Sequence, residues 1–182
     1  MPDKYQNKYR IPSARLQTWD YGSIASYFVT VCTKNREHFF GEIIWNEMRQ
    51  SEIGKIVEQE WIRTPELRPD MNLRLGEFIV MPNHFHGIII IGENQYNTVG
   101  CRDAMHCVST PNQFGPQSKN LGSIIRGLKS SVTTQAKKLG NNIFAWQSRF
   151  HDHIIRDAKS FERIQDYIIN NPSNWKEDKS FR

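Results

Sequence analysis

Residues 73–91 read LRLGEFIVMPNHFHGIIII, two extended apolar runs separated only by Pro82 and Asn83. This pair of residues favours a tight turn, so the two runs are predicted to form an antiparallel hairpin. Side chains alternate between the two faces along a strand. His84 and His86 are therefore expected to point to one face of the sheet, and Phe85 to the other.

The segments on either side of this hairpin alternate between strand and helix patterns. Aromatic and β-branched residues mark strands, and apolar residues at a 3.6-residue spacing mark helices that end near Pro65, Gly140 and Pro172. The order predicts an α+β, ferredoxin-like βαββαβ core, an antiparallel sheet with helices on one face, plus a C-terminal helix. The predicted elements are a strand at 27–33, a helix at 46–62, the hairpin strands at 73–81 and 84–91, a helix at 121–139, a strand at 150–156 and a helix at 160–171.

A long polar stretch interrupts this order at residues 93–118. It contains glycines and prolines and has no sustained period, and connections of that length are usually functional or mobile. We expect a surface loop inserted into a single domain that spans residues 1–182. Cys101, His106 and Cys107 lie in it, but three clustered ligands without a fourth nearby do not predict a structural zinc site.

Composition narrows the class of protein. A chain of 182 residues suits one domain. Its 24 Lys and Arg residues against 19 Asp and Glu residues give a net charge of +5, which suits nucleic acid without requiring it. The start of the chain is polar, the cysteines number three, and no apolar run approaches the roughly 20 residues that cross a bilayer. We expect a cytoplasmic, nucleoid-associated protein without a membrane segment.

Four residues are candidates for a chemical site. Two imidazoles on one face of a strand can share a divalent cation, although most such pairs are ordinary hairpin residues. In the predicted last helix, Tyr167 and Asn171 are four residues apart and share a face. Taken alone, Tyr167 is more simply interpreted as a residue beside the apolar stripe of Phe161, Ile164 and Ile168. Asn171 is likewise more simply interpreted as the end of the helix before Pro172. A rival pair, His151 and His153, has the same spacing as the hairpin histidines.

Basic residues suggest where nucleic acid would bind. The predicted helix at 121–139 has four cationic side chains and no acidic residue, so phosphate contacts are expected there. Its alternative role is a solvated helix face. An amino-terminal arm with interleaved aromatic residues would stack on unpaired bases or pack on the sheet. The predicted DNA-binding residues are Arg126, Lys129, Lys137 and Lys138 of the helix, and Arg10 and Arg15 of the arm.

Five blocks of the chain, taken together, identify a resemblance. MPNHFHGIII, WQSRFHDHIIR and YIINNPSNW, with RLQTWDYGSIASYFVTVCTKNREHFFGEI and LGSIIRGLKSS, resemble the REP-associated tyrosine transposases, a branch of the single-tyrosine HUH transposases. The likeness covers nearly the whole chain except residues 93–118. It implies a metal-dependent endonuclease and strand transferase that acts on single-stranded or hairpin DNA during DNA transposition.

The resemblance also assigns roles to residues. His84 and His86 match the histidine pair that binds Mg²⁺ or Mn²⁺, Tyr167 the catalytic nucleophile that keeps the 5′ phosphate, and Asn171 the polar metal ligand, where some relatives have glutamine. Imidazoles alone would equally suit Zn²⁺ or Ni²⁺. Some relatives exchange the tyrosine helix between two subunits, so a homodimer stays open. The alternatives are a non-catalytic nucleic-acid-binding module, such as an RNA-binding sheet with exposed aromatics, and a decayed transposase that still binds its hairpin.

Overall fold

A computed structural model describes residues 16, 19–98 and 118–175, and the backbone alone of residues 4–5 and 8–9. Within these parts the chain forms eight strands and three α-helices. The strands are β1 (Lys4–Tyr5), β2 (Lys8–Tyr9), β3 (Ala25–Cys32), β4 (Gly41–Ile44), β5 (Glu47–Gln50), β6 (Leu73–Met81), β7 (His84–Ile91) and β8 (His151–Ile155). The helices are α1 (Glu52–Ile62), α2 (Leu121–Lys138) and α3 (Ala158–Ile169).

Four of these strands form the central sheet, in the order β6-β7-β3-β8. Every neighbouring pair is antiparallel. The first and third strands of the core, β3 and β7, lie in the middle, which is the strand order of a ferredoxin-like fold. The predicted fold class is confirmed, and β6 and β7 have the predicted bounds.

One face of the sheet carries the main hydrophobic core. Alternate residues of β3 and β7 point to this face, and α1 and α2 cover it. Trp61 of α1 packs on Phe85 with ring centroids 4.8 Å apart. Gly87 lies against both rings, and a Cβ there would come within 2.8 Å of each. Even alanine is therefore too large at this position of β7.

The opposite face of the sheet is covered by α3. Asp157 caps this helix by accepting a hydrogen bond from the backbone N–H of Ser160. Ile164 and Ile168, four residues apart, are buried in a second apolar cluster with Ile88 and Ile155. This packing fixes the rotation of α3, and it places the last helix in a layer of its own rather than with α1 and α2.

The helix predicted at 46–62 is wrong in its first part. Residues 41–50 form a β4–β5 hairpin instead, and α1 begins at Glu52 after Ser51, whose side chain accepts from the N–H of Gly54. The turn of the hairpin consists of Trp45 and Asn46, both with positive φ. Tryptophan rarely adopts that conformation, so the local sequence carries no hairpin signal.

The remaining predicted bounds differ by small amounts. The other helices and strands agree to within two residues at each end. Residues 93–98 form turns, whereas residues 99–117 of the predicted inserted loop, with the Cys101, His106 and Cys107 group, lie outside the described residues. Among the helices that the structure describes, none is both long and apolar enough to span a membrane.

Candidate active site

His84 and His86 lie side by side on the sheet face that α3 covers. β7 pairs with β3 so that His84 is opposite Cys32 and His86 is opposite Thr30. The two imidazole centroids are 4.4 Å apart, and the side chains are 0% and 3% exposed. The alternation along β7 therefore places the histidines together, as the sequence predicts.

In each imidazole, the Nδ1 atom is engaged by a side chain of the sheet or its turn. Nδ1 of His84 lies 2.8 Å from Oδ1 of Asn83, and Nδ1 of His86 lies 2.9 Å from Oγ1 of Thr30. Partners of this kind orient the histidines of metal sites and fix their tautomers. The Nε2 atoms are then the ones that can bind a ligand.

Tyr167 reaches the histidine pair from α3. Its hydroxyl oxygen lies 3.3 Å from Nε2 of His86. Phe28 stacks on His86 at a centroid distance of 5.2 Å and meets the Tyr167 ring edge-on at 6.1 Å. Ile164 and Ile168 anchor α3 on the sheet, and Phe28 packs against the Tyr167 ring. The phenol is therefore positioned both by its helix and by a direct ring contact. The side chain is nevertheless 45% exposed, so a substrate can approach it.

Asn171 lies beyond the end of α3, not in its last turn. The helix ends at Ile169, and Asn171 follows in a turn, where its N–H donates to the carbonyl of Ile168. The side chain is only 2% exposed. Four residues further, the Trp175 ring stacks on His84 at 5.8 Å. Asn171 therefore lies in the chain between Tyr167 and Trp175, two of the aromatic residues that contact the histidines.

The Nε2 atoms of His84 and His86 are a pair of donors that a divalent cation can share. In the parts of the chain that the structure describes, no cluster of three or more His, Cys, Asp or Glu side chains could hold a metal. Any further ligand would be an amide, a phosphate or water. His84, His86 and Asn171 are the residues that would hold such an ion.

The rival pair, His151 and His153, is on the same face of the sheet but on its outer strand. His151 is opposite Thr30 and His153 is opposite Phe28, so β3 separates them from β7. Both are exposed, and neither contributes to a metal-binding group among the described residues. They border the candidate site without joining the hairpin pair.

The cationic residues of α2 lie across the sheet from Tyr167, because α2 covers the core face. Arg126, Lys137 and Lys138 are exposed. The amine of Lys129 instead donates to the carbonyls of Gln147 and Arg149, at 2.7 and 2.8 Å. Desolvation by burial lowers the pKa of Lys129 to about 8. Arg10 and Arg15 lie outside the described residues.

Four residues of the site escape sequence reasoning: Phe28, Thr30, Asn83 and Trp175. Phe28 and Thr30 belong to a strand that pairs with β7 across more than 50 residues of chain, and nothing local reveals such a partner. Asn83 could have been found, since it directly precedes His84 and asparagine can accept from an imidazole N–H. The sequence by itself predicts only one role for Asn83, as a residue of the hairpin turn.

Comparison with known proteins agrees with this fold. No protein-family model matches the chain. An uncharacterized protein of Haemophilus influenzae is 39% identical over 169 residues, which are 93% of this chain and 92% of the relative. A solved structure of a REP-associated tyrosine transposase bound to a REP hairpin is similar with a TM-score of 0.58 and 19% identity, over 93% of this chain and 77% of that one. At that identity the likeness concerns the fold alone. The chain belongs to the same family as the Haemophilus influenzae protein, and it has the fold of a REP-associated tyrosine transposase.

Proposed function

We propose that this protein is a metal-dependent tyrosine transposase that cleaves and rejoins single-stranded DNA at hairpins. The observation that carries the proposal is the 3.3 Å approach of the Tyr167 hydroxyl to Nε2 of His86, beside the second imidazole of the pair. A nucleophile needs a neighbouring group that stabilises charge in the reaction. The fold supports the same assignment, because a protein with that fold binds a REP hairpin.

The reaction exchanges one phosphate ester for another. The Tyr167 oxygen attacks the scissile phosphorus, the bond from phosphorus to the 3′ oxygen breaks, and the released strand end takes up a proton as a 3′ hydroxyl. The phenol proton leaves to solvent, which reaches the partly exposed side chain. The resulting 5′ phosphotyrosine conserves the ester, so attack by another 3′ hydroxyl rejoins DNA and restores Tyr167 without a nucleotide cofactor.

The residues around Tyr167 have separate tasks in this proposal. His84 and His86 would hold Mg²⁺ or Mn²⁺ through their Nε2 atoms, with Asn171 as an amide ligand, direct or through water. Such an ion supplies Lewis-acid polarisation of the scissile phosphate. Phe28 packs on both His86 and Tyr167, and so keeps the ring of the nucleophile at the histidine.

The proposal is tested with a labelled single-stranded hairpin DNA and Mg²⁺ or Mn²⁺. Wild-type protein should form a protein–DNA adduct that survives denaturation, and EDTA should abolish it. Tyr167→Phe should form none. The matched control is Tyr96→Phe, because the Tyr96 hydroxyl donates to Asp70 away from the histidines. Adduct formation by Tyr167→Phe would refute the role of this nucleophile.

The same experiment separates the alternative functions. A decayed transposase or a non-catalytic binding module would bind the hairpin in a gel-shift assay but give no adduct with any divalent ion. An RNA-binding sheet would present open aromatic side chains, whereas α3 packs beside Phe28 on this face. The arrangement of this face therefore argues against an RNA-binding sheet, and the adduct assay separates the other two functions.

A further inference from the structure

The carboxamide of Asn83 is buried directly beside the histidine pair. Its side chain is 1% exposed, and its Oδ1 atom lies 2.8 Å from Nδ1 of His84. An amide oxygen only accepts hydrogen bonds. Nδ1 of His84 must therefore carry the proton of this bond, and in the neutral ring the lone pair is then on Nε2.

The backbone of Asn83 is held from the neighbouring strand end. Its carbonyl oxygen accepts from the N–H of Thr33 at 2.9 Å, and at 3.0 Å it shares the hydroxyl proton of Thr33 with the carbonyl of Glu37, which lies at 2.7 Å. The preceding carbonyl, of Pro82, accepts from the N–H of Phe40 at 3.0 Å. These three bonds fix the turn, so the carboxamide is in position independently of any bound ion.

The partner of the other histidine leaves the tautomer open. Nδ1 of His86 meets the hydroxyl of Thr30 at 2.9 Å, and a hydroxyl both donates and accepts. The Thr30 hydroxyl can therefore hydrogen-bond to either tautomer of His86, including the tautomer in which Nε2 accepts from the Tyr167 hydroxyl. Of the two partners, only the Asn83 oxygen dictates where the proton lies.

We infer that Asn83 is a positioning residue of the candidate site, which holds His84 in the Nδ1–H tautomer and thereby directs the lone pair of Nε2 toward a divalent cation. The cation is taken from the proposed function. The tautomer follows from the hydrogen bond alone, so the two can be tested separately.

The first measurement uses no metal. Long-range proton–nitrogen NMR correlations of the histidine rings, recorded in EDTA at pH ~8 where ordinary imidazoles are neutral, report which ring nitrogen carries the proton. Wild-type His84 should be protonated on Nδ1. Asn83→Leu, which keeps a similar volume without an acceptor, should lose that preference, and Asn83→Asp, which retains an oxygen, should keep it.

The second measurement is the affinity for Mn²⁺ by calorimetry. Loss of an outer partner of a metal-binding histidine weakens binding about 10- to 100-fold, so this loss is expected for Asn83→Leu, with rescue in Asn83→Asp. Asn120→Ala is the matched control. This buried asparagine caps α2 by accepting from Ser123, so its replacement should lower the melting temperature and leave the Mn²⁺ affinity unchanged.

The outcomes distinguish this inference from the proposed function. A wild-type His84 protonated on Nε2, or an Asn83→Leu protein with unchanged tautomer and unchanged Mn²⁺ affinity, would overturn the positioning role. A wild-type protein that shows the Nδ1–H tautomer, loses it in Asn83→Leu, and yet binds no divalent ion would uphold the role of Asn83 and refute the metal-dependent function.

Discussion

Tyr167 and a bound cation would use the same nitrogen of His86. The phenol lies within hydrogen-bond distance of Nε2 of His86, so an ion that binds this nitrogen must displace the contact. A hydrogen bond contributes about 0.5–1.5 kcal/mol net. We therefore expect Tyr167→Phe to bind Mn²⁺ as tightly as wild type or up to about tenfold more tightly, measured by calorimetry.

The contrary result would also be informative. If Tyr167→Phe bound Mn²⁺ more weakly than wild type, the phenol oxygen would itself be a ligand, and the displacement argument would be wrong. Tyr96→Phe serves again as the control, since its hydroxyl contacts Asp70 rather than a histidine, and it should leave the affinity unchanged.

At the scale of residues, the sequence predicts those parts of the site that depend on local geometry. His84 and His86 share a face because strands alternate, and their position follows from the Pro82–Asn83 turn. The proximity of Tyr167 to His86 spans 81 residues, and no spacing rule supplies it; the family resemblance alone leads to it. Asn171 is predicted within the helix but follows its end, because α3 stops two residues earlier.

At the scale of elements, α2 and α3 present their charges on opposite sides of the sheet. The exposed Arg126, Lys137 and Lys138 of α2 would therefore contact DNA away from the scissile phosphate. Replacing all three by alanine should weaken hairpin binding and reduce the slope of log K against log salt by about 0.7–0.9 for each phosphate that is no longer neutralised. Binding measured from low to moderate salt tests this.

Cleavage should respond differently from binding in that triple variant. At saturating DNA, the rate of adduct formation should match wild type, because α2 packs on the core face of the sheet and the Tyr167 helix packs on the opposite face. Lys55→Ala, at an exposed position of α1 where the amine pairs with Glu52, is the control and should change neither quantity. An unchanged salt slope in the triple variant would remove α2 from the DNA interface.

Lys129 lies on α2, and its hydrogen bonds to the carbonyls of Gln147 and Arg149 connect this helix to the segment before β8. Its pKa is about 8 in the folded protein, against 10.5 for an ordinary lysine. Between pH 8 and 10.5 the Lys129 amine has lost its proton in the folded protein but keeps it in the unfolded chain. Because the unfolded state binds more protons in this range, Lys129 makes the free energy of unfolding rise with pH. Below pH ~8 both states are charged and the contribution is constant.

The variant Lys129→Met isolates that contribution. We expect its free energy of unfolding, measured by urea titration, to rise less between pH 8 and 10.5 than that of wild type. Absolute stability should also fall, because methionine cannot donate to the carbonyls of Gln147 and Arg149, but the test concerns the pH dependence. Parallel curves for the two proteins would mean that Lys129 has an ordinary pKa.

Element prediction succeeds where the periodic pattern and the turn residues agree. The β6–β7 hairpin is an example, since Pro82 and Asn83 separate two alternating runs. It fails at residues 46–50, because the apolar spacing that predicts the helix lies further along, at Ile53, Ile56, Val57 and Trp61, and the turn at Trp45 and Asn46 needs a backbone conformation that tryptophan seldom adopts. The side of the sheet that α3 covers depends on which sheet face Ile164 and Ile168 contact. Tertiary packing decides this, and the local sequence does not.

At the scale of the whole molecule, the site is assembled within one chain. Only two residues, Arg156 and Asp157, connect β8 to α3. The apolar contacts of Ile164 and Ile168 with Ile88 and Ile155 hold α3 on the sheet, so Tyr167 stays beside His86 while this packing persists. Exchange of α3 between two subunits would require the same contacts to be released and remade on the partner chain.

Mixed subunits test whether the site works in cis. If Tyr167 acts with His86 of its own chain, an equimolar mixture of His86→Ala and Tyr167→Phe proteins, unfolded and refolded together, should form no adduct with labelled hairpin DNA. Wild type mixed with His86→Ala should retain adduct formation. Adduct in the mixture of the two variants would require a tyrosine and an intact histidine pair from different chains, so α3 would have to be exchanged between them.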